Sequence, residues 1–115
     1  MTERVALVTG GGSGIGREIC VGLAAAGRNV AVADLNLDGA LETASLISAT
    51  GGTAIAVHMD VADSDAVQGG ILQVLDELGP PEILVNCAGL FPVSSLEETS
   101  LKDFDESELK NILNI

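Results

Sequence analysis

Positive charge is what this sequence has least of: five Lys and Arg stand against 17 Asp and Glu, a formal net charge of −12. A nucleic-acid backbone or an anionic membrane surface requires clustered basic side chains, so neither is expected as a partner. Cysteine and histidine are scarce too. Cys20 and Cys87 lie far apart with no Cys-x-x-Cys pattern, and His58 is the single histidine, which argues against a disulfide framework and a zinc site. Two buried, reduced thiols are expected, and no metal. No apolar run approaches the roughly 18 residues of a membrane helix, and Met1-Thr2-Glu3-Arg4 leads into the first apolar run without a signal-peptide core. A cytoplasmic protein is expected.

Apolar residues and glycine are plentiful. With 47% hydrophobic residues in 115, residues 1–115 can bury the core of one domain. Val5-Ala6-Leu7-Val8 is a short, uniformly apolar run of the kind covered on both faces in a parallel sheet. Thr9-Gly10-Gly11-Gly12-Ser13-Gly14-Ile15-Gly16 follows at once, and Ile15, Ile19, Leu23 and Ala26 then fall at helical spacing up to a terminating Gly27. The unit repeats. Val30-Ala31-Val32-Ala33 ends at Asp34, and Leu37, Leu41 and Ala44 mark a second helix closed by Gly51-Gly52. Ala54-Ile55-Ala56-Val57 leads through His58 and Met59 to Asp60; Asp63 then suits the N-cap of a helix whose face is Val67, Ile71, Val74 and Leu78. Ile83-Leu84-Val85 reads as a fourth strand, Leu90 to Glu98 as a loop, and a last helix begins near Ser100 or Asp105. Alternating strands and helices imply a Rossmann-like, doubly wound parallel α/β sheet of order 3-2-1-4, truncated after the fourth strand and the helix that follows it.

A strand turning through glycines into a helix presents free N–H groups and a positive dipole end to one spot, which suits a phosphate. Asp34, roughly 20 residues on at the end of the second strand, can accept hydrogen bonds from both hydroxyls of an adenosine ribose and would repel a 2′-phosphate. No Arg or Lys follows it in Leu35-Asn36, and none lies within the glycine turn. NAD(H) is therefore favoured over NADP(H). His58, on a strand with no nucleophile beside it, is left out of the site.

The glycines fit Gly-x-x-x-Gly-x-Gly, not Gly-x-Gly-x-x-Gly. Preceded by Thr9, this resembles the nucleotide loop of the short-chain dehydrogenase/reductase family. Asp34, Asp60-Val61 and Asn86-Cys87-Ala88-Gly89 extend the match in the right order, with Cys87 where the family usually has a second Asn. The resemblance implies that Gly10, Gly14 and Gly16 let the backbone approach the pyrophosphate, with Ser13 and the Ile15 N–H as phosphate contacts. It places Asp34 and the adjacent Leu35 at the adenosine, Asp60 at the adenine amino group, the Val61 N–H at a ring nitrogen, and Asn86, Ala88 and Gly89 along the riboses. The substitution at Cys87 leaves the sheet bonding there open.

The family's catalytic Tyr-x-x-x-Lys cannot be present, because the sequence has no tyrosine. The family's catalytic Asn follows a series of apolar positions that Leu109, Ile112 and Ile115 fit better than a series begun at Phe104, which would select Asn111. On that register the catalytic residues fall beyond Ile115, and no catalytic residue is assigned. The expectation is the cofactor-binding N-terminal half of an oxidoreductase for an alcohol/carbonyl pair, a homo-oligomer in complete form. As 115 residues alone it is expected to be inactive, and poorly soluble or associated because the fourth strand lies at an open edge. A non-catalytic NAD-binding pseudoenzyme is the alternative. An S-adenosylmethionine methyltransferase is a weaker one: Gly12-Ser13-Gly14-Ile15-Gly16 reads as Gly-x-Gly-x-Gly, but Thr9-Gly10 and Asn86-Cys87-Ala88-Gly89 argue against it.

Overall fold

The structure, a computed structural model, describes residues 4–87. The elements alternate strictly: β1 (Val5–Thr9), α1 (Gly14–Ala25), β2 (Asn29–Asp34), α2 (Leu37–Ala49), β3 (Ala54–His58), α3 (Ser64–Glu77) and β4 (Pro81–Asn86). The strands form one sheet of order β3-β2-β1-β4 with every pairing parallel, the order the sequence implies. The helix expected near Ser100 or Asp105 lies outside the described residues.

The uniformly apolar strands are covered on both faces. On one face Val5, Leu7, Ala31, Ala33 and Val57 pack with Met59 against Ile71 and Val74 of α3. On the other, Val8, Val30 and Val32 pack against Cys20 of α1 and Ala40 and Ile47 of α2. Burying an aliphatic side chain such as Ile47 or Val74 contributes about 1.5–3 kcal/mol, so these two layers hold the sheet between its helices. The Asp63 side chain accepts from the N–H groups of Asp65 and Ala66 and starts α3 as expected, and Gly27 closes α1 at φ +91°.

Helix α2 forms where the sequence places it, but its buried side differs. Of the three residues that mark it, Ala44 is buried as the spacing suggests, but Leu37 and Leu41 are 40% and 50% exposed, and Gly39, Ala40, Thr43 and Ile47 face inward instead. The cause is steric: α2 passes so close to the glycine turn that a Cβ on Gly39 would stand 2.8 Å from the Gly12 carbonyl oxygen. Leucines do not fit there, and small residues do.

At β4 the sheet bonding left open by Cys87 is intact, for the Cys87 N–H donates to the Thr9 carbonyl at 2.9 Å. Ile83, Leu84 and Val85 are only half buried, because among the described residues β4 has no neighbour on its outer side.

Candidate nucleotide-binding cleft

All strands being parallel, their carboxyl ends meet at one edge of the sheet, and the strand order reverses around β1. Such a reversal opens a crevice between the loops that leave neighbouring strands in opposite directions. A cleft of about 550 Å³ lies there. Its walls include Gly10, Ser13, Gly14, Ile15 and Gly16 from the β1 turn, Asp34 and Leu35 from the end of β2, and Asp60 and Val61 beyond β3. The fold thus brings residues from three separate stretches of the chain to one hollow. Asn86 is not among its lining residues, since its Oδ1 accepts the Thr9 hydroxyl at 2.7 Å and ties β4 to the start of the turn. Ala88 and Gly89 lie outside the described residues.

The turn can approach a ligand because side chains are excluded from it. A Cβ on Gly16 would collide with the Gly10 carbonyl oxygen, so the first turn of α1 lies directly on the glycine strand exit. Helix α1 begins at Gly14 with no acidic residue in its first turn, which leaves its positive end uncompensated. The first N–H groups of any helix lack intrahelical acceptors, and the residues that carry them here, Gly14, Ile15 and Gly16, line the cleft. Ser13 occupies the N-cap position but makes no capping hydrogen bond, so its exposed hydroxyl is available to a ligand.

Asp34 is anchored twice: Oδ2 accepts the Gly12 N–H at 2.8 Å, and Oδ1 accepts the Asn36 N–H at 2.9 Å. An ionised carboxylate offers about four lone-pair directions, so each oxygen keeps capacity for one further donor. Asp60 is fixed by the Ala62 N–H at 3.0 Å on Oδ1 and keeps acceptor capacity on both oxygens, more than Asp34 does. Two carboxylates on the β2 and β3 side favour a ligand rich in hydroxyl and amino donors there and disfavour an added anion. An anionic group would fit instead at the glycine turn and the α1 terminus.

The cleft also contains two residues to which the motifs assign no ligand contact, although Cys87 stands within the Asn86-Cys87-Ala88-Gly89 motif. Met59 and Cys87 line it; neither carries a polar signature, and only their positions beside Asp60 and Asn86 could have indicated them. Cys87 packs against the cluster holding buried Cys20, and burial pushes both thiols upward, Cys20 to about 12 with the nearby Cys87 adding to the shift. Behind the turn stand Arg17 and Thr43, bonded to Gly12 and Gly11. His58 is exposed and does not line the cleft.

No helix among the described residues is long and apolar enough to cross a membrane, and no group of His, Cys, Asp or Glu among them is arranged to hold a metal.

Comparison with known proteins agrees with this geometry. The family model for short chain dehydrogenase matches residues 4–114. An uncharacterized oxidoreductase of Thermotoga maritima is 40% identical over 110 residues, which is 95% of this chain and 43% of that protein. D-threitol dehydrogenase of Mycolicibacterium smegmatis is 39% identical over 109 residues, 95% of this chain and 42% of that protein. The crystal structure of a metagenomic short-chain oxidoreductase in complex with NADP superposes with a TM-score of 0.72 at 32% identity, over 78% of this chain and 41% of that one. The chain therefore spans less than half the length of these relatives.

Proposed function

The chain belongs to the short-chain dehydrogenase family, and on that premise we propose that it is the cofactor-binding part of an NAD(H)-dependent oxidoreductase acting on an alcohol/carbonyl pair. The observation that carries the choice of NAD(H) is the Asp34 carboxylate, fixed by Gly12 and Asn36 with one acceptor direction spare on each oxygen. Adjacent ribose hydroxyls fit those directions, while a 2′-phosphate would bring negative charge against negative charge. No basic side chain among the cleft's described lining residues offsets that repulsion.

The remaining residues fit the rest of the cofactor. The α1 terminus and the glycine turn suit the pyrophosphate, with the Ser13 hydroxyl as a further donor. Asp60 and the Val61 N–H suit an adenine edge, which offers a donor and an acceptor side by side. Leu35 is 59% exposed and Ile15 75%, apolar edges of the cleft that a bound base and nicotinamide would cover. When bound, the nicotinamide gives or takes hydride. In the family the accompanying proton is handled by a Tyr-Lys pair, and these 115 residues contain no tyrosine. Cytoplasmic location and homo-oligomeric assembly of the whole protein belong to the same proposal, as does a small alcohol or carbonyl compound as substrate. Similarity to a D-threitol dehydrogenase supports an alcohol substrate class.

Calorimetric titration of the chain with NADH and with S-adenosylmethionine tests the reading. NADH is expected to bind and S-adenosylmethionine not to. Binding of S-adenosylmethionine alone would replace the dehydrogenase reading with a methyltransferase one.

A further inference from the structure

Arg17 sits one residue past the last glycine of the turn, in a helix position that reads as an ordinary surface charge, yet it faces back under the turn. Its Nη2 donates to the Gly12 carbonyl at 2.6 Å and its Nε to the Thr43 hydroxyl at 2.9 Å. Thr43 is fully buried and passes the contact on, its hydroxyl donating to the Gly11 carbonyl at 2.8 Å. Two successive carbonyls of the glycine turn are thus held away from the cleft, one directly by a guanidinium and one through a threonine oriented by it. The Gly12 N–H of the same segment is held by Asp34.

A carbonyl dipole turned into the cleft would oppose an anion; with the Gly12 carbonyl turned out, the N–H of the same peptide unit, on Ser13, points the other way, while the Gly12 N–H that shares a unit with the Gly11 carbonyl stays on Asp34. Charge matters as well. Of the described cations, Arg4 pairs with Glu82 and Arg28 precedes β2, both at the opposite edge of the sheet. Arg17 is therefore the one cation among the described residues at the carboxyl edge, in a chain of net charge −12. Glu42, itself exposed, takes only Nη1 at 3.2 Å.

We propose that Arg17 is a positioning residue for the cofactor's pyrophosphate: from behind the glycine turn, directly and through Thr43, it keeps the Gly11 and Gly12 carbonyls out of the cleft and supplies positive charge to the dianion without touching it. This rests on the nicotinamide-nucleotide reading above. A planar guanidinium suits the task because it serves Gly12, Thr43 and Glu42 at once, which an ammonium cannot.

The test measures dissociation constants for NADH and for adenosine, which has base and ribose but no pyrophosphate, on the full chain and its R17M, R17K and T43V variants, with unfolding midpoints recorded alongside. R17M is expected to weaken NADH by about tenfold or more, the scale of one charge-assisted hydrogen bond, and adenosine by no more than about twofold. R17K is expected to recover about threefold of the loss, because it restores the charge but not the fork. T43V, which keeps the shape and removes only the hydroxyl, is expected to weaken NADH in the same selective way, and it carries the test if R17M does not fold. NADH affinity unchanged in R17M and T43V, equal losses of NADH and adenosine, or R17K no better than R17M would each overturn the proposal. A parent chain that binds neither NADH nor NADPH would instead remove the nucleotide reading, and this inference with it.

Discussion

The Gly12 N–H donates to Oδ2 of Asp34 at 2.8 Å, so the acid that ends β2 and the turn that follows β1 form one unit. A Cβ on Gly12 would stand 2.7 Å from that same oxygen and 3.0 Å from the Ala40 nitrogen, so any other residue here would have to displace the carboxylate and crowd the start of α2. The carboxylate therefore has two tasks, bracing the turn and facing the ligand. The Asp34→Asn variant separates them. Its amide keeps the shape and can keep its oxygen on the Gly12 N–H, releasing only the exposed Asn36 N–H to water, so stability should fall by no more than about 1 kcal/mol. Removing the negative charge should also shift the ratio of NADPH to NADH affinity towards NADPH by about tenfold, one charge contact's worth. Denaturant unfolding reads the first effect and nucleotide titration the second.

Glycines of this chain separate sharply by what surrounds them. In Gly16→Ala the new methyl meets the Gly10 carbonyl, which is backbone and cannot turn aside, so a loss of about 1–3 kcal/mol and of NADH binding is expected. Gly22, in the same helix, has no neighbouring atom within 4 Å of the place a Cβ would take. Gly22→Ala should therefore stabilise the chain by about 0.5–1 kcal/mol, as alanine does in a helix interior, and leave nucleotide affinity unchanged. Paired denaturation curves of the two variants check both signs.

The Cys20 thiol, held up at about 12 by burial and by the neighbouring Cys87, ties stability to alkaline pH. In the unfolded chain the thiol ionises near its ordinary value of 9.0, so above that pH the unfolded state holds fewer protons than the folded one. Its contribution is complete below pH 9 and is lost progressively as pH rises from 9 towards 12. Unfolding midpoints should fall over that window, and the Cys20→Ala variant should show a shallower fall from a lower starting point, the latter owing to the cavity it leaves. The same burial predicts that Cys20 resists thiol reagents in the folded chain at about pH 8, which a timed titration with a chromogenic disulfide would show.

Much of the fold is legible in the sequence, for identifiable reasons. Short apolar runs such as Val5 to Val8 and Val30 to Ala33 mark strands because a parallel sheet covered on both faces has no polar side to alternate with. Asp63 marks a helix start because its side chain has a specific local acceptor task, and the fold fulfils it. The inward side of α2 is not legible. Hydrophobic spacing points to Leu37 and Leu41, but the space beside Gly12 admits only Gly39, Ala40 and the oriented hydroxyl of Thr43. Periodicity measures how apolar a face is, not how near the neighbouring backbone comes. Arg17 escapes notice for a related reason: its partners, the Gly12 carbonyl, the Thr43 hydroxyl and the Glu42 carboxylate, come from the turn and from α2, and nothing local announces them. Met59 and Cys87 reach the cleft through strand geometry alone.

On the proposed function, the glycine turn and Asp34 together select NAD(H). The most direct measurement is a side-by-side titration of the chain with NADH and NADPH at one salt concentration, followed by nicotinamide fluorescence or calorimetry. NADH is expected to bind at least about tenfold more tightly, the effect of setting a 2′-phosphate against the Asp34 carboxylate. Equal affinity, or tighter binding of NADPH, would contradict it.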